Sequence, residues 1–329
     1  MAVHDVGDRG PRVSVDRHVA VAAAITAIAA LAPWGAVGLG PQLIGVALAV
    51  LLLGVPHGAY DGWLLAERFG SRRRVAGAAG VYLLAVVAVF VAWSWAPSGA
   101  LLAFLALSVF HFGRGDTVAA PWRVPRPLGV LARGAWVVLG PLAAGGAELA
   151  FVLESILRDA GAAAAMIEGA RTAFVPLAIL YGGTALVAAV RGGGRERGSV
   201  LLEAVALGAV IALAPPLVAF AVYFCLWHSM RHVLSIRRQQ VRWADFVRRS
   251  APAVVGTVAL AAGAGLLLPQ APAATTLAYV LFVGLAAISV PHVVLVDGWW
   301  ARGVPTPGSK VPAPERRGAR GMAGPSRIS

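Results

Sequence analysis

Five histidines close apolar runs. His57 stands in "GVPHGAYDGW", His111 in "SVFHFGRGD", His228 and His232 in "WHSMRH", and His292 in "SVPHVVLVD". Imidazole in such places serves a metal ion, a haem or a proton relay. His228 and His232, four residues apart, project from one helical face, so both rings can approach one ion. Three of the motifs add a carboxylate: Asp61 after His57, Asp116 after His111 and Asp297 after His292. A carboxylate beside a metal-binding imidazole accepts its second ring proton and fixes the tautomer. Only the 57/61 spacing suits a regular helix face; the five-residue spacings need a bent end or another partner. Pro56 and Pro291 each precede a histidine, where proline kinks the helix and opens space. Gly54, Gly58, Gly62, Gly113 and Gly115 allow close backbone approach around the same level.

The elements that carry these residues are transmembrane helices. The 329-residue chain is 59% apolar and only 13% charged, well outside the soluble range. A net charge of +13 would suggest nucleic acid in a soluble protein, but here the arginines separate apolar runs, which is the pattern of cytoplasmic loops. Nucleic acid is therefore not expected as a partner; the lipid bilayer is. Crossing about 30 Å of hydrocarbon takes about 20 apolar residues. Candidate spans are 19–37, 41–58, 76–96, 98–113, 128–146, 173–190, 199–214, 217–236, 251–269 and 275–297. The expected fold is an all-α polytopic bundle of eight to ten spans in the plasma membrane, with both termini cytoplasmic. In that topology the external loops keep only Arg158 and Arg171 among the basic residues. Residues 1–18 and 301–329 read as disordered cytoplasmic tails, the second one basic, and 19–300 as the membrane domain. Cys225, the single cysteine, lies within an apolar run, so no disulfide framework is expected.

The helical rise of 1.5 Å per residue converts sequence position into depth. His57 lies about 24 Å from Pro41, His111 about 20 Å from Ser98, and His292 about 25 Å from Thr275. His228 and His232 lie about 18 and 24 Å from Pro216. All five rings then share one layer in the inner half of the bilayer, while His4 and His18 fall in the polar tail. Proline, glycine, histidine and tryptophan are ordinary punctuation where helices leave lipid. That reading suits any one histidine, but not five at one depth.

An all-imidazole site suits iron, copper, zinc or nickel. No HExxH is present for zinc hydrolysis. A haem-binding membrane redox protein is one alternative, with two histidines clamping a porphyrin. A proton-coupled transporter using His/Asp pairs is another.

The four quoted segments, in this order and spanning about 41–300, resemble the Brp/Blh family of bacterial and archaeal membrane β-carotene 15,15′-dioxygenases. The resemblance implies an Fe(2+) enzyme that splits the central double bond of β-carotene with O2 to give two retinal molecules. It makes 19–300 a catalytic domain and points to a functional link with a retinal-binding rhodopsin. Carried over residue by residue, the family's iron ligands, and so the catalytic residues, correspond to His57, His111, His228 and His232. His292 matches a further family histidine that is either a fifth ligand or a group beside the ligands or the substrate. Asp61, Asp116 and Asp297 are then the expected partners of the ligand rings. Tyr60, Trp63, Phe112, Tyr223 and Trp227 are expected to line a tunnel for the polyene, their faces stabilising positive charge on it. Arg231 is expected to reach for the inner surface.

Overall fold

The computed structural model describes residues 12–59, 71–119, 122–237, 242–266 and 271–300. Every regular element among them is helical. The chain begins with α1 (Arg12–Leu31) and α2 (Leu39–Ala49), which widens into a π-helical stretch (Val50–Gly54) before α3 (Val55–Ala59). Then come α4 (Arg72–Trp95), α5 (Pro97–Ala119), α6 (Arg126–Ala143), α7 (Ala147–Leu157), α8 (Ala160–Arg191) and α9 (Gly194–Leu213). α10 (Pro216–Ala221) widens into a second π-helical stretch (Val222–Ser229) before α11 (Met230–Arg237); α12 (Trp243–Leu266) and α13 (Ala273–Trp300) follow.

The all-α expectation holds, and each of the ten apolar runs falls on helix. The count of eight to ten spans is not confirmed. Among the described residues six helical stretches are long and apolar enough to cross a membrane. A seventh is reached only if α6 and α7, bent by 104°, form one broken span. The apolar part of α1 is short (Arg17–Leu31), and α9 opens on Arg195, Glu196 and Arg197 and buries Glu203. The first helix also starts at Arg12, seven residues before the expected span.

The sequence reading placed residues 147–157 in an external loop, yet they form α7. Its buried residues Leu149, Val152, Leu153, Ile156 and Leu157 repeat at helical spacing, so one face is apolar and docks on the bundle. A side chain at Gly145 would run into Leu149, so the bend after α6 needs glycine there. Arg171 donates to the Gly145 carbonyl at 2.7 Å, and Trp93 on α4 donates to the Ile156 carbonyl at 2.8 Å. α7 is thereby pinned across the ends of its neighbours. Arg158 ends it in the left-handed conformation (φ 58°), and the Asp159 side chain caps α8 through the Ala162 amide.

α5 and α6 make the closest backbone approach. A Cβ on Gly113 would penetrate the Val130 carbonyl, and one on Gly134 the Val109 carbonyl. Two glycines facing each other across a helix pair let backbones touch where any side chain would part them. The crossing lies two residues from His111. α4 turns Val81, Leu83 and Leu84 outward, each more than 60% exposed, as a lipid-facing helix would.

Candidate metal centre

Two of the rings, His57 and His228, owe their position to a local irregularity. Pro56 lacks an N–H, and its ring would clash with the carbonyl four residues back. The chain widens into the π-helical stretch Val50–Gly54 just before it, and the Gly54 carbonyl accepts the Nδ1–H of His57. π-helical turns recur at functional sites because they re-aim side chains. The second such stretch carries His228 itself. α1 braces it: His18 Nε2 donates to the Leu226 carbonyl at 2.8 Å, and Trp227 Nε1 donates to Thr26 Oγ1 at 2.9 Å.

The five rings meet. Between ring centroids, His57 lies 5.0 Å from His292, 5.6 Å from His228 and 5.6 Å from His232. His111 lies 5.0 Å from His228 and 5.5 Å from His292, and His232 lies 6.2 Å from His292. Two imidazoles sharing one ion at about 2.1 Å through a ring nitrogen have centroids about 4.6–5.3 Å apart at angles of about 90–110°. The nearest pairs match that spacing. Among the described residues, however, no group of three or more His, Cys, Asp or Glu side chains is arranged so that it could hold a metal ion. The donor type and the spacing of the nearest pairs suit an ion.

Two rings have their tautomer set. His57 gives its Nδ1 proton to the Gly54 carbonyl, and His111 Nδ1 pairs with Asp297 Oδ2 at 2.8 Å. Each keeps Nε2 available as a lone-pair donor. Arg114 binds the same aspartate at 2.5 Å. Asp297 therefore serves His111 across helices, the other partner that its five-residue spacing from His292 left open.

Asp116 is engaged across helices. It accepts from Tyr223 at 2.9 Å and from Arg231 at 2.9 Å. Arg231 also binds Glu203 at 2.6 Å, which in turn binds Arg133 at 2.6 Å. Arg231 is buried and does not reach for the surface: two carboxylates inside the bundle hold it. This four-charge network joins α5, α6, α9 and α11, and so couples the helix of His111 to that of His232. Arg133 and Glu203 each sit inside an apolar run, the signal that marks the histidines too, and neither was read from it.

Cavities adjoin the cluster on two sides. One, bounded by α4–α7, α10 and α13, includes His57, His111, His228 and His292 with Phe112, Phe224 and Phe282. The other lies between α3, α4, α12 and α13 and includes His57 and His292 with Tyr82, Val86 and Thr257. Both are almost wholly apolar. Phe112 is where a tunnel residue was expected. Tyr223 and Trp227 are buried and line neither cavity; their polar atoms are taken by Asp116 and Thr26. Tyr60, Asp61 and Trp63 lie outside the described residues, as do Gly62 and His4.

Comparison with known proteins places the chain in a family. The family model described as Beta-carotene 15,15'-dioxygenase matches residues 48–300. The chain belongs to this family. A Beta-carotene 15,15'-dioxygenase from an uncultured marine bacterium is 30% identical over 257 residues, 75% of this chain and 90% of the relative. A protein of Halobacterium salinarum named "Probable beta-carotene 15,15'-dioxygenase Blh" is 30% identical over 321 residues, 84% of this chain and 89% of that one. No solved structure matches. The part shared with the β-carotene 15,15′-dioxygenase family holds all five rings, Asp297 and the four-charge network. His18 and Thr26, which brace the second π-helical stretch, precede it.

Proposed function

We propose that the protein is a membrane-embedded, iron-dependent dioxygenase that cleaves the central double bond of β-carotene with O2 to give two molecules of retinal. One observation supports this above the rest: five imidazoles from four separate stretches meet beside apolar cavities in a chain of the β-carotene 15,15′-dioxygenase family. The reaction balances without a further reductant. The central carbon–carbon double bond and the O–O bond both break, and each carbon takes one oxygen as an aldehyde.

His57, His111, His228 and His232 would hold the iron, and four neutral nitrogens are a donor set that suits it. When bound, Fe2+ supplies the redox chemistry that lets O2 react with a closed-shell polyene. The chain's residues do the rest. Asp297 and the Gly54 carbonyl hold protons on Nδ1 of His111 and His57, leaving the opposite nitrogens for the ion. His292 lines both cavities and packs against His57 and His111, the place of a fifth ligand or of a group that meets the polyene. The apolar walls exclude water and hold the hydrocarbon, so that its central bond lies beside the rings. Phe112 and Phe224 present faces able to stabilise positive charge on an oxidised polyene. A position inside the bilayer suits a substrate and an oxidant that both dissolve in lipid, with the ring layer beneath the inner headgroups.

Production of the chain in cells that make β-carotene tests the reading. Loss of the orange colour with retinal accumulating is the expected result. Unchanged pigment alongside folded, iron-loaded protein would overturn it.

A further inference from the structure

The cavity beneath α7 has a definite depth. On α5 it runs from Leu101 to His111, and on α13 from Phe282 to His292. Each interval is ten residues, about 15 Å of helix. Both helices thus place the far end of the cavity about 15 Å from the ring layer. That end is closed. Leu101, Leu153 and Ile156 are each at most 5% exposed, and the Trp93 bond to the Ile156 carbonyl ties α7 down over them. The second cavity differs. Its rim on α4 carries Leu83 and Val87, 64% and 56% exposed, so it opens sideways between α4 and α12. His57, Phe224, Leu285, Ser289 and His292 border both cavities.

We infer that the closed cavity is a ruler: one end of a rod-shaped polyene enters from the side, passes the rings and stops against α7, and the depth of about 15 Å selects the bond that is cut. This rests on the carotenoid reading above and adds to it the residues that fix the cleavage position. The match is one of lengths. β-Carotene is about as long as the hydrocarbon core is thick, about 30 Å, so a stop at about 15 Å brings its middle to the histidines. A stiff conjugated chain cannot fold to compensate, so position along it is set by where its leading end stops. The trailing half needs no matching wall, and the open cavity offers none. α7 is accordingly the specificity-determining element, with Val152 and Leu153 its nearest adjustable side chains.

The unsubstituted, iron-loaded full chain provides the first test, with an apocarotenal that keeps one intact ring and lacks part of the other end. The ruler predicts a cut at the same distance from the intact ring as in β-carotene, releasing retinal and a short dialdehyde. A cut at the midpoint of the shortened molecule overturns it. Two variants then move the stop. Val152→Phe shortens the cavity and Leu153→Ala deepens it; chromatography of the products from β-carotene reads the outcome. Since a misplacement of about 1 Å costs on the order of 100-fold, equal halves should fall by about that factor in Val152→Phe while unequal apocarotenals appear. Leu153→Ala should likewise give unequal apocarotenals beside retinal, since a shift to either side of the centre of a symmetric polyene yields the same kind of unequal pair. Equal halves alone from both variants overturn the ruler, as does loss of all product from variants that still bind iron and intact β-carotene under anaerobic conditions. Intact β-carotene left by the unsubstituted protein would instead sink the carotenoid reading itself.

Discussion

Nδ1 of His111 lies 2.8 Å from Oδ2 of Asp297, a carboxylate 186 residues further along the chain. This pair joins α5 to α13 at the level of the five rings, and Arg114 holds the carboxylate in place. Partners of this kind typically contribute 10- to 100-fold in metal affinity or activity. Asp297→Ala should therefore weaken Fe2+ binding by about 10–100-fold, read by anaerobic titration, while the fold survives.

The Arg133–Glu203–Arg231–Asp116 network is buried at every member. Two cations and two carboxylates balance, so removing one charge leaves an uncompensated ion inside the bundle. Glu203→Gln should destabilise the protein by about 3–5 kcal/mol, measured by thermal unfolding in detergent. Glu196→Gln breaks the solvent-exposed pair with Arg123 and should leave the unfolding curve unchanged.

How the network and the ring layer differ in legibility has a physical basis. The histidine layer was readable because helical rise is constant: distance from a span's start gives depth whatever the neighbours do. Partners across helices were not. Asp297 follows His292 and Asp116 follows His111 at a five-residue spacing that needs a bent end or another partner, and sequence shows only neighbours on one's own helix, so the other partner could not be named. Which helix faces which is decided by contacts such as Gly113 against Gly134, invisible until the pair is assembled. Arg231 was expected to reach for the surface because a long cation near a helix end has that default, which two buried carboxylates override. α7 was missed because a search for runs of about 20 apolar residues passes over an 11-residue helix that is apolar on one face. The π-helical stretches leave no signature beyond Pro56 just after the first, and none in the second.

The glycine crossing of α5 and α6 is the least forgiving contact. At Gly134 even a methyl group would meet the backbone of Val109, which cannot turn aside as a side chain can. Gly134→Ala should cost at least about 1–3 kcal/mol and shift His111 with its helix, seen as lower thermal stability and weaker iron retention. Gly182→Ala, where a Cβ would meet nothing, is the matched control and should behave as the unsubstituted protein does.

His18 was assigned to a polar tail, but it donates to the Leu226 carbonyl within the stretch that carries His228. Removing the donor leaves that carbonyl short of a partner, at a cost of about 1–3 kcal/mol. His18→Ala should lower thermal stability by that order and loosen iron, whereas His18→Gln, which can still donate, should recover part of both.

The central claim is that imidazoles from separate helices close around one iron ion. X-ray absorption on anaerobically purified, Fe2+-loaded protein, together with metal analysis, tests it most directly. The account predicts a nitrogen shell with imidazole scattering and no Soret band. That shell should be lost with the iron in His57→Ala and His228→Ala and kept in His4→Ala. Iron held in an unaltered shell by His228→Ala would contradict it.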